Sequence, residues 1–372
     1  MELEPFHLER FFAQHEFSAR HLLCCSDCES LAVGDLLARE PDGAETLNNL
    51  WLGYTETSGD PALRAEIADL YAGIDPDQVL VHAGAEEAIF NFMQVTLSAG
   101  DHVVVHWPGY QSLAAVARGL GCDVTLWRTG PADHWQLDLE WLRRQLRPQT
   151  RAVIVNCPHN PTGYVMDRAA LAELTALADE HGFLIFSDEV YRGLEHHART
   201  RLPAACDLSD RALSLGVMSK TYGLAGLRIG WIATRNHQVL EKMKGFKDYT
   251  TICNSAPSEF LATLALRQRD HIVARNMEII RTNLDYLDAF FARHRSRFVW
   301  QRPVAGPIAF PRLASDMDAT DFCAKLVDRA GVLLLPGALI DEAYRSHFRI
   351  GFGRLDLPTC LQQVDDFLAE GY

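Results

Sequence analysis

The side chain with the most unusual surroundings in this sequence is Lys220, which follows the apolar run LSLGVMS and precedes the small, glycine-rich TYGLAGLRIGW. An amine withdrawn from water is less easily charged, so its pKa falls and it becomes able to attack carbonyls or accept protons. The plainer alternative is a lysine that snorkels from a strand end. Asp188 is the second unusual residue, because it closes the apolar run FLIFSD, and a buried carboxylate is costly unless a cationic group faces it.

Other polar residues stand at the ends of apolar runs. QVLVHAG leads through Gly84, Ala85 and Glu86 directly into a helical pattern, an arrangement that presents backbone N–H groups to an anion such as phosphate, although ordinary turns also use glycine. In HWPGYQS, Tyr110 is placed to lay its ring on a flat ligand or to pack in the core. Asn160 precedes proline in NCPHNPTGYV, a turn that fixes its amide, and Tyr191 follows Asp188 by three residues. An amine that captures an aldehyde, with an acid that keeps a ring nitrogen protonated, is the pair that pyridoxal phosphate needs to act as an electron sink. Arg228, eight residues after Lys220, then pairs with the phosphate at the Gly84–Glu86 helix start, and Asn160 with the ring's phenolic oxygen.

These residues require a scaffold that brings strand ends together. Short apolar runs alternate with amphipathic stretches from residue 79: QVLVHAG, DHVVVHW, DVTLWRT, RAVIVNC, GFLIFSD, ALSLGVM and LRIGWIAT read as strands, with helices at 85–98, 111–120 and 168–182 between them. The order predicts an α/β fold with a mainly parallel central sheet flanked by helices, whose ligands gather beyond the carboxyl ends of the strands. Residues 49–262 form the large domain on this reading, and 263–372 a smaller α+β domain, with one long helix over 255–294 crossing the boundary between them. Residues 1–48 pack with the small domain.

Composition narrows the partners. The 372 residues carry a formal charge of −14 and no block of lysine and arginine, which argues against a nucleic-acid or anionic-membrane surface. The best apolar run, GVLLLPGALI, is far short of the roughly 20 residues of a membrane helix. The acidic start MELEPFHLERFF lacks a secretory pattern, and nine scattered cysteines fit free thiols, so a cytoplasmic location is expected. Cys25 and Cys28 have zinc-like spacing without a second ligand pair, and a turn of small residues is the preferred reading.

With SDEVYRGL, NPTG and SKTYGLAGLRIGW in this order, the chain resembles the fold-type I pyridoxal-phosphate enzymes, specifically the class I/II aminotransferase family, over most of residues 50–355. The resemblance implies that Lys220 is the Schiff-base lysine, Asp188 the partner of the pyridinium nitrogen and Tyr110 the stacking ring, the three forming the catalytic set. It makes Asn160 and Tyr191 donors to the phenolate oxygen, Arg349 in HFRIGFGR the clamp on the substrate's α-carboxylate with Asn160 beside it, and Gly84, Ala85, Glu86, Ser219 and Arg228 contacts to the cofactor. It further implies a homodimer with shared sites, in which Tyr54 of LGYTETSGDPALR reaches the neighbouring subunit's phosphate. Relatives often carry a hydroxyl residue three positions before the lysine, where this chain has Val217, so Ser219 or backbone groups must compensate. FSARHLLCCSDCESLAVGDLL, PHNPTG and VAGPIAFPRL look like the branch containing capreomycidine synthases, which dehydrate 3-hydroxyarginine and close a ring. Asp27 and Glu29 would suit such a cationic substrate, or else are ordinary solvated or capping acids. The first expectation is an amino-acid aminotransferase, the second a cyclase of that branch, and the third a cofactor-binding regulator or scaffold without turnover.

Overall fold

Apolar runs such as VVV in HVVVHW have no polar face, which is the pattern of strands covered by helices on both sides. The computed structural model describes residues 1–315 and 317–371. After a short N-terminal strand, β1 (His21–Leu22), the seven apolar runs become β2 (Val79–His82), β3 (His102–Trp107), β4 (Asp123–Arg128), β5 (Thr150–Asn156), β6 (Leu184–Asp188), β7 (Ala212–Val217) and β8 (Gly230–Ala233) of one sheet. Alternation along β3 splits its valines between two cores. Val103 and Val105 pack with Phe92 and Leu113, whereas Val104 packs with Leu174 and Phe183 on the other face.

The strand order is β2-β8-β7-β6-β5-β3-β4, with β7 to β4 parallel and β8 antiparallel to both its neighbours. The reversal of β8 is not visible in the apolar pattern. It follows from its connection: residues 218–229 contain no crossover helix, which a parallel return requires, and instead double back with Met218 N–H donating to the Ile229 carbonyl (3.0 Å). The edges are protected differently. Exposed Asp123 and Arg128 mark β4, while the Ser58 carbonyl accepts from Val81 N–H (3.0 Å) and covers β2.

The stretch expected as one long helix is two, Ala256–Arg267 and Arg269–Arg293. Gln268 leaves helical geometry at the junction (φ −98°, ψ 10°), and its side-chain amide donates to the Leu36 carbonyl (3.0 Å). Beyond lie β9 (Phe298–Val299), β10 (Ile308–Ala309), β11 (Arg312–Leu313), β12 (Val332–Leu333), β13 (Leu335–Pro336) and β14 (Phe348–Gly351), the last central to a three-stranded antiparallel sheet with β10 and β13. Parallel pairing of β1 with β12 ties the N-terminal residues to this part, and the first helix (His7–His15) packs Leu8 with Cys24, Leu333 and Leu335. Among the described residues no helix is long and apolar enough to cross a membrane.

Candidate active site

Because β3, β5, β6 and β7 are parallel, their carboxyl ends share one edge of the sheet, and reversed β8 begins at that same edge. A cavity of about 450 Å³ opens there, lined by Tyr110, Asn160, Asp188, Lys220, Arg228 and Arg349 among others. A second cavity, of about 510 Å³, borders the first through Val190 and Val217 but contains none of the residues singled out for chemistry.

Lys220 lies in the loop between β7 and β8, where its Nζ donates to Ser26 Oγ (3.0 Å). Part of its side chain borders the open cavity, yet dense surroundings desolvate the amine and lower its pKa, and the Arg349 guanidinium acts in the same direction while the Asp27 carboxylate opposes them. Asp188 ends β6 and is buried. Desolvation pushes its carboxyl up to about 7, against the pull of a hydrogen bond from Val190 N–H (3.3 Å) and of the Lys220 charge. Register pairs Asp188 with Asn156 on β5, whose amide donates to the Asp188 carbonyl (3.0 Å) and whose Oδ1 accepts from Asn160 N–H (2.6 Å). One polar contact chain thus fixes Asn160 relative to Asp188.

Arg349, in β14, is 3% exposed and donates from Nε and Nη2 to the Cys24 carbonyl (3.1 and 2.9 Å) and from Nη1 to Asn160 Oδ1 (3.4 Å). Of its five N–H donors, one on each terminal nitrogen remains for a forked grip on a carboxylate. Tyr191 is buried and, although the Ser26 side chain lies near its hydroxyl, no hydrogen bond of ordinary geometry among the described residues satisfies it. Tyr110 donates to Glu9 Oε1 (3.3 Å) and meets Phe6 at 5.3 Å between ring centroids.

At the start of the Ala85–Thr96 helix the chain forms an anion cradle. Gly84 has φ +95°, no side chain caps the helix, and a Cβ added at Gly84 would stand 2.7 Å from Nη2 of Arg228. Only glycine lets the guanidinium lie this close to uncapped N–H groups. Ser219 and Val217 line the cavity, and Val217 offers no hydroxyl. Tyr54 is apart from this cavity, 86% exposed in a shallow pocket with Leu52, Cys253 and Pro257.

Only part of the N-terminal wall was foreseen, the segment holding Asp27, and the first helix was not. Leu8, Glu9, Phe12, Glu16, Cys25 and Ser26 line the cavity, and Arg349 lies over the Phe12 ring (5.8 Å to the centroid). Amphipathic spacing in HLERFFAQHE was the available signal, since Glu9 and the C-cap residue Glu16 are seven residues, or two turns, apart and so share a face. Of the two acids singled out earlier, Asp27 also lines the cavity but is held by a forked pair of bonds from Arg354 (3.1 and 2.9 Å), and Glu29 accepts from Leu355 N–H (2.9 Å). Among the described residues no group of three or more histidine, cysteine or acidic side chains is arranged to hold a metal ion.

An amine of lowered pKa, a buried acid lacking a cationic neighbour in hydrogen-bond contact, an unpartnered phenol and an anion cradle at one sheet edge fit pyridoxal phosphate group for group. The comparisons agree. Residues 22–362 match the family model described as aminotransferase class I and II. The chain is 32% identical to capreomycidine synthase from Streptomyces vinaceus over 93% of its own length and 88% of the relative's. Among solved structures, a PLP-dependent aminotransferase from Streptococcus suis superposes with a TM-score of 0.93 at 34% identity, covering 100% of this chain and 99% of that one. The PLP-dependent cyclase OrfR does so with a TM-score of 0.89 at 30% identity, again over 100% and 99%.

Proposed function

Since the chain belongs to the class I and II aminotransferase family and is a pyridoxal-phosphate-dependent enzyme of aminotransferase type, we propose that it takes an α-amino acid whose side chain ends in a guanidinium or ammonium group. The observation that carries this reading is the acidic wall of the cavity. Glu9 on the first helix and Glu16 at its C-cap reach it from one face, and among the described residues neither is engaged by a basic side chain within ion-pair distance, whereas Asp27 is already satisfied by Arg354. Two carboxylates beside a half-enclosed cavity favour a distal cation and repel a distal carboxylate.

In this proposal Arg228 and the N–H groups of Ala85 and Glu86 hold the cofactor's phosphate, Asp188 its ring nitrogen, Asn160 and Tyr191 its phenolic oxygen, and Tyr110 one ring face. Bound in this way, pyridoxal phosphate supplies a sink for the electron pair left at Cα. Arg349 grips the α-carboxylate with its two remaining donors and so orients the Cα–H bond. Lys220 removes the Cα proton, a task for which its lowered pKa keeps a larger fraction of the amine unprotonated. Leu8 and Phe12 of the first helix line one wall of the cavity and reduce its exposure to water. Transamination would then release the substrate's carbon skeleton as a 2-oxo acid, with the amino group passed on to an acceptor oxo acid such as 2-oxoglutarate.

A second reading is favoured by the similarity to capreomycidine synthase together with the acidic wall: loss of a β-hydroxyl as water from 3-hydroxyarginine, then addition of the guanidino nitrogen at Cβ. One experiment separates the two. The holoenzyme is incubated with arginine, ornithine or lysine plus 2-oxoglutarate, and separately with 3-hydroxyarginine and no oxo acid. Glutamate formed in step with amino-acid consumption supports transamination, dehydrated cyclic product in the second incubation supports the cyclase, and neutral or acidic amino acids preferred over basic ones would refute the cationic substrate. We also propose a homodimer, supported by Trp51, Leu52 and Tyr54, which are 79%, 76% and 86% exposed in one short segment. Light scattering that returns a monomer mass would refute it.

A further inference from the structure

The cradle described above contains an apparent contradiction: a carboxyl group, Glu86, sits in the first turn of the helix that faces the phosphate. Its Oε1 accepts from Ser112 Oγ (2.5 Å), while its Oε2 is buried and has no hydrogen-bond partner. The groups around it come from four further elements. Glu9 on the first helix and Asp188 at the end of β6 are acids, Tyr110 follows β3, and Arg228, before β8, is the nearby cation. Desolvation is the largest effect on Glu86 and raises its pKa, and Glu9 adds to it, whereas the Ser112 hydroxyl, the nearby Tyr110 hydroxyl and Arg228 oppose. An ionised Glu86 would face a dianionic phosphate at close quarters, whereas a neutral one turns an unpartnered oxygen into a donor.

We propose that Glu86 enters the complex as a neutral acid and donates its Oε2 proton to the cofactor's phosphate, supplying by side chain the donor that Val217 does not. This rests on the cofactor reading. No bond is made or broken besides the hydrogen bond; where Glu86 is ionised in the free protein, one proton is taken from solvent as the phosphate binds. Affinity is therefore full at lower pH and declines as pH rises through the carboxyl's raised pKa.

The probe is pyridoxine 5′-phosphate, which carries the phosphate but no aldehyde, so that binding is read without covalent chemistry at Lys220. Its Kd is measured by calorimetry on apo wild type and Glu86→Gln from the lowest pH at which both stay folded, near the ordinary carboxyl value, to about pH 9. Glutamine keeps a donor and cannot ionise. The two proteins are expected to bind within about threefold of one another at the acid end, with wild type about tenfold weaker than the variant at the alkaline end. Asp188 titrates in both, so the change in their ratio isolates Glu86. A ratio independent of pH overturns the proposal. Should Glu86→Gln not fold, wild type alone decides: near the alkaline end, pyridoxine phosphate is expected to take up about one proton more than pyridoxine, and equal uptake overturns the proposal. Absence of pyridoxine phosphate binding by the folded wild type at every pH would instead sink the cofactor reading itself.

Discussion

Replacing Gly84 by alanine tests the anion cradle with a single methyl group. The backbone at this position has φ +95°, a region that costs a non-glycine residue about 1–3 kcal/mol. The new Cβ would lie 2.7 Å from Arg228 Nη2, about 1 Å inside ordinary contact, so the guanidinium must retreat from the helix start. Loss of one charge-assisted contact to a phosphate is worth about 1.5–3 kcal/mol, equivalent to a rise in cofactor Kd of roughly 10- to 100-fold. The assay is titration of apoprotein with pyridoxal phosphate, read by the absorbance of the bound form, with circular dichroism to confirm the fold. The cycle with Arg228→Ala sharpens it: because both changes act on one contact, Gly84→Ala in the Arg228→Ala background is expected to add less than threefold to Kd. Wild-type affinity in Gly84→Ala, or fully additive losses in the double variant, would refute the cradle.

Three further outcomes are expected. The Asp188 carboxyl, raised from 3.8 to about 7 by burial, binds its proton more tightly in the folded apoprotein than in the unfolded chain, so stability is lost as pH rises through this window. Apo Asp188→Asn should accordingly melt above wild type at about pH 8, by up to roughly 3–4 kcal/mol, with the gap closing toward about pH 4; a gap independent of pH would contradict it. Glu9→Gln combined with Glu16→Gln should raise KM for arginine or lysine about tenfold and leave KM for neutral amino acids within about twofold. Equal effects on both substrate types would exclude these acids from side-chain recognition. Arg349→Lys, which loses the forked grip, should instead raise KM roughly 10- to 100-fold for every amino acid accepted, and a side-chain-dependent effect would count against its assignment to the α-carboxylate.

The strands were readable because most runs have an apolar stretch of several residues, and those that matter to the site stop at or just before a polar one. Asp188 after FLIFS and Lys220 after LSLGVMS stand out for that reason, and the fold delivers both to one cavity. The direction of β8 was not readable, since an apolar tetrapeptide looks the same in either sense and the turn chemistry of residues 218–229 decides it. Nor was the first helix's place in the N-terminal wall. Glu9, Phe12 and Ser26 join residues some 200 to 340 positions later only because β1 pairs with β12 and because Gly351, having no Cβ, lets the Cys25 carbonyl pack against β14. Local periodicity carries no trace of such closures. The helix break at Gln268 is similar, fixed by a side chain reaching back to Leu36.

The account stands or falls on Lys220 as the covalent anchor of the coenzyme. Protein incubated with pyridoxal phosphate, reduced with borohydride and digested should yield one stoichiometric pyridoxyl adduct by mass spectrometry, on the peptide containing Lys220, with none in Lys220→Ala. An adduct on another lysine such as Lys247, or its persistence in the variant, would contradict the assignment of the site.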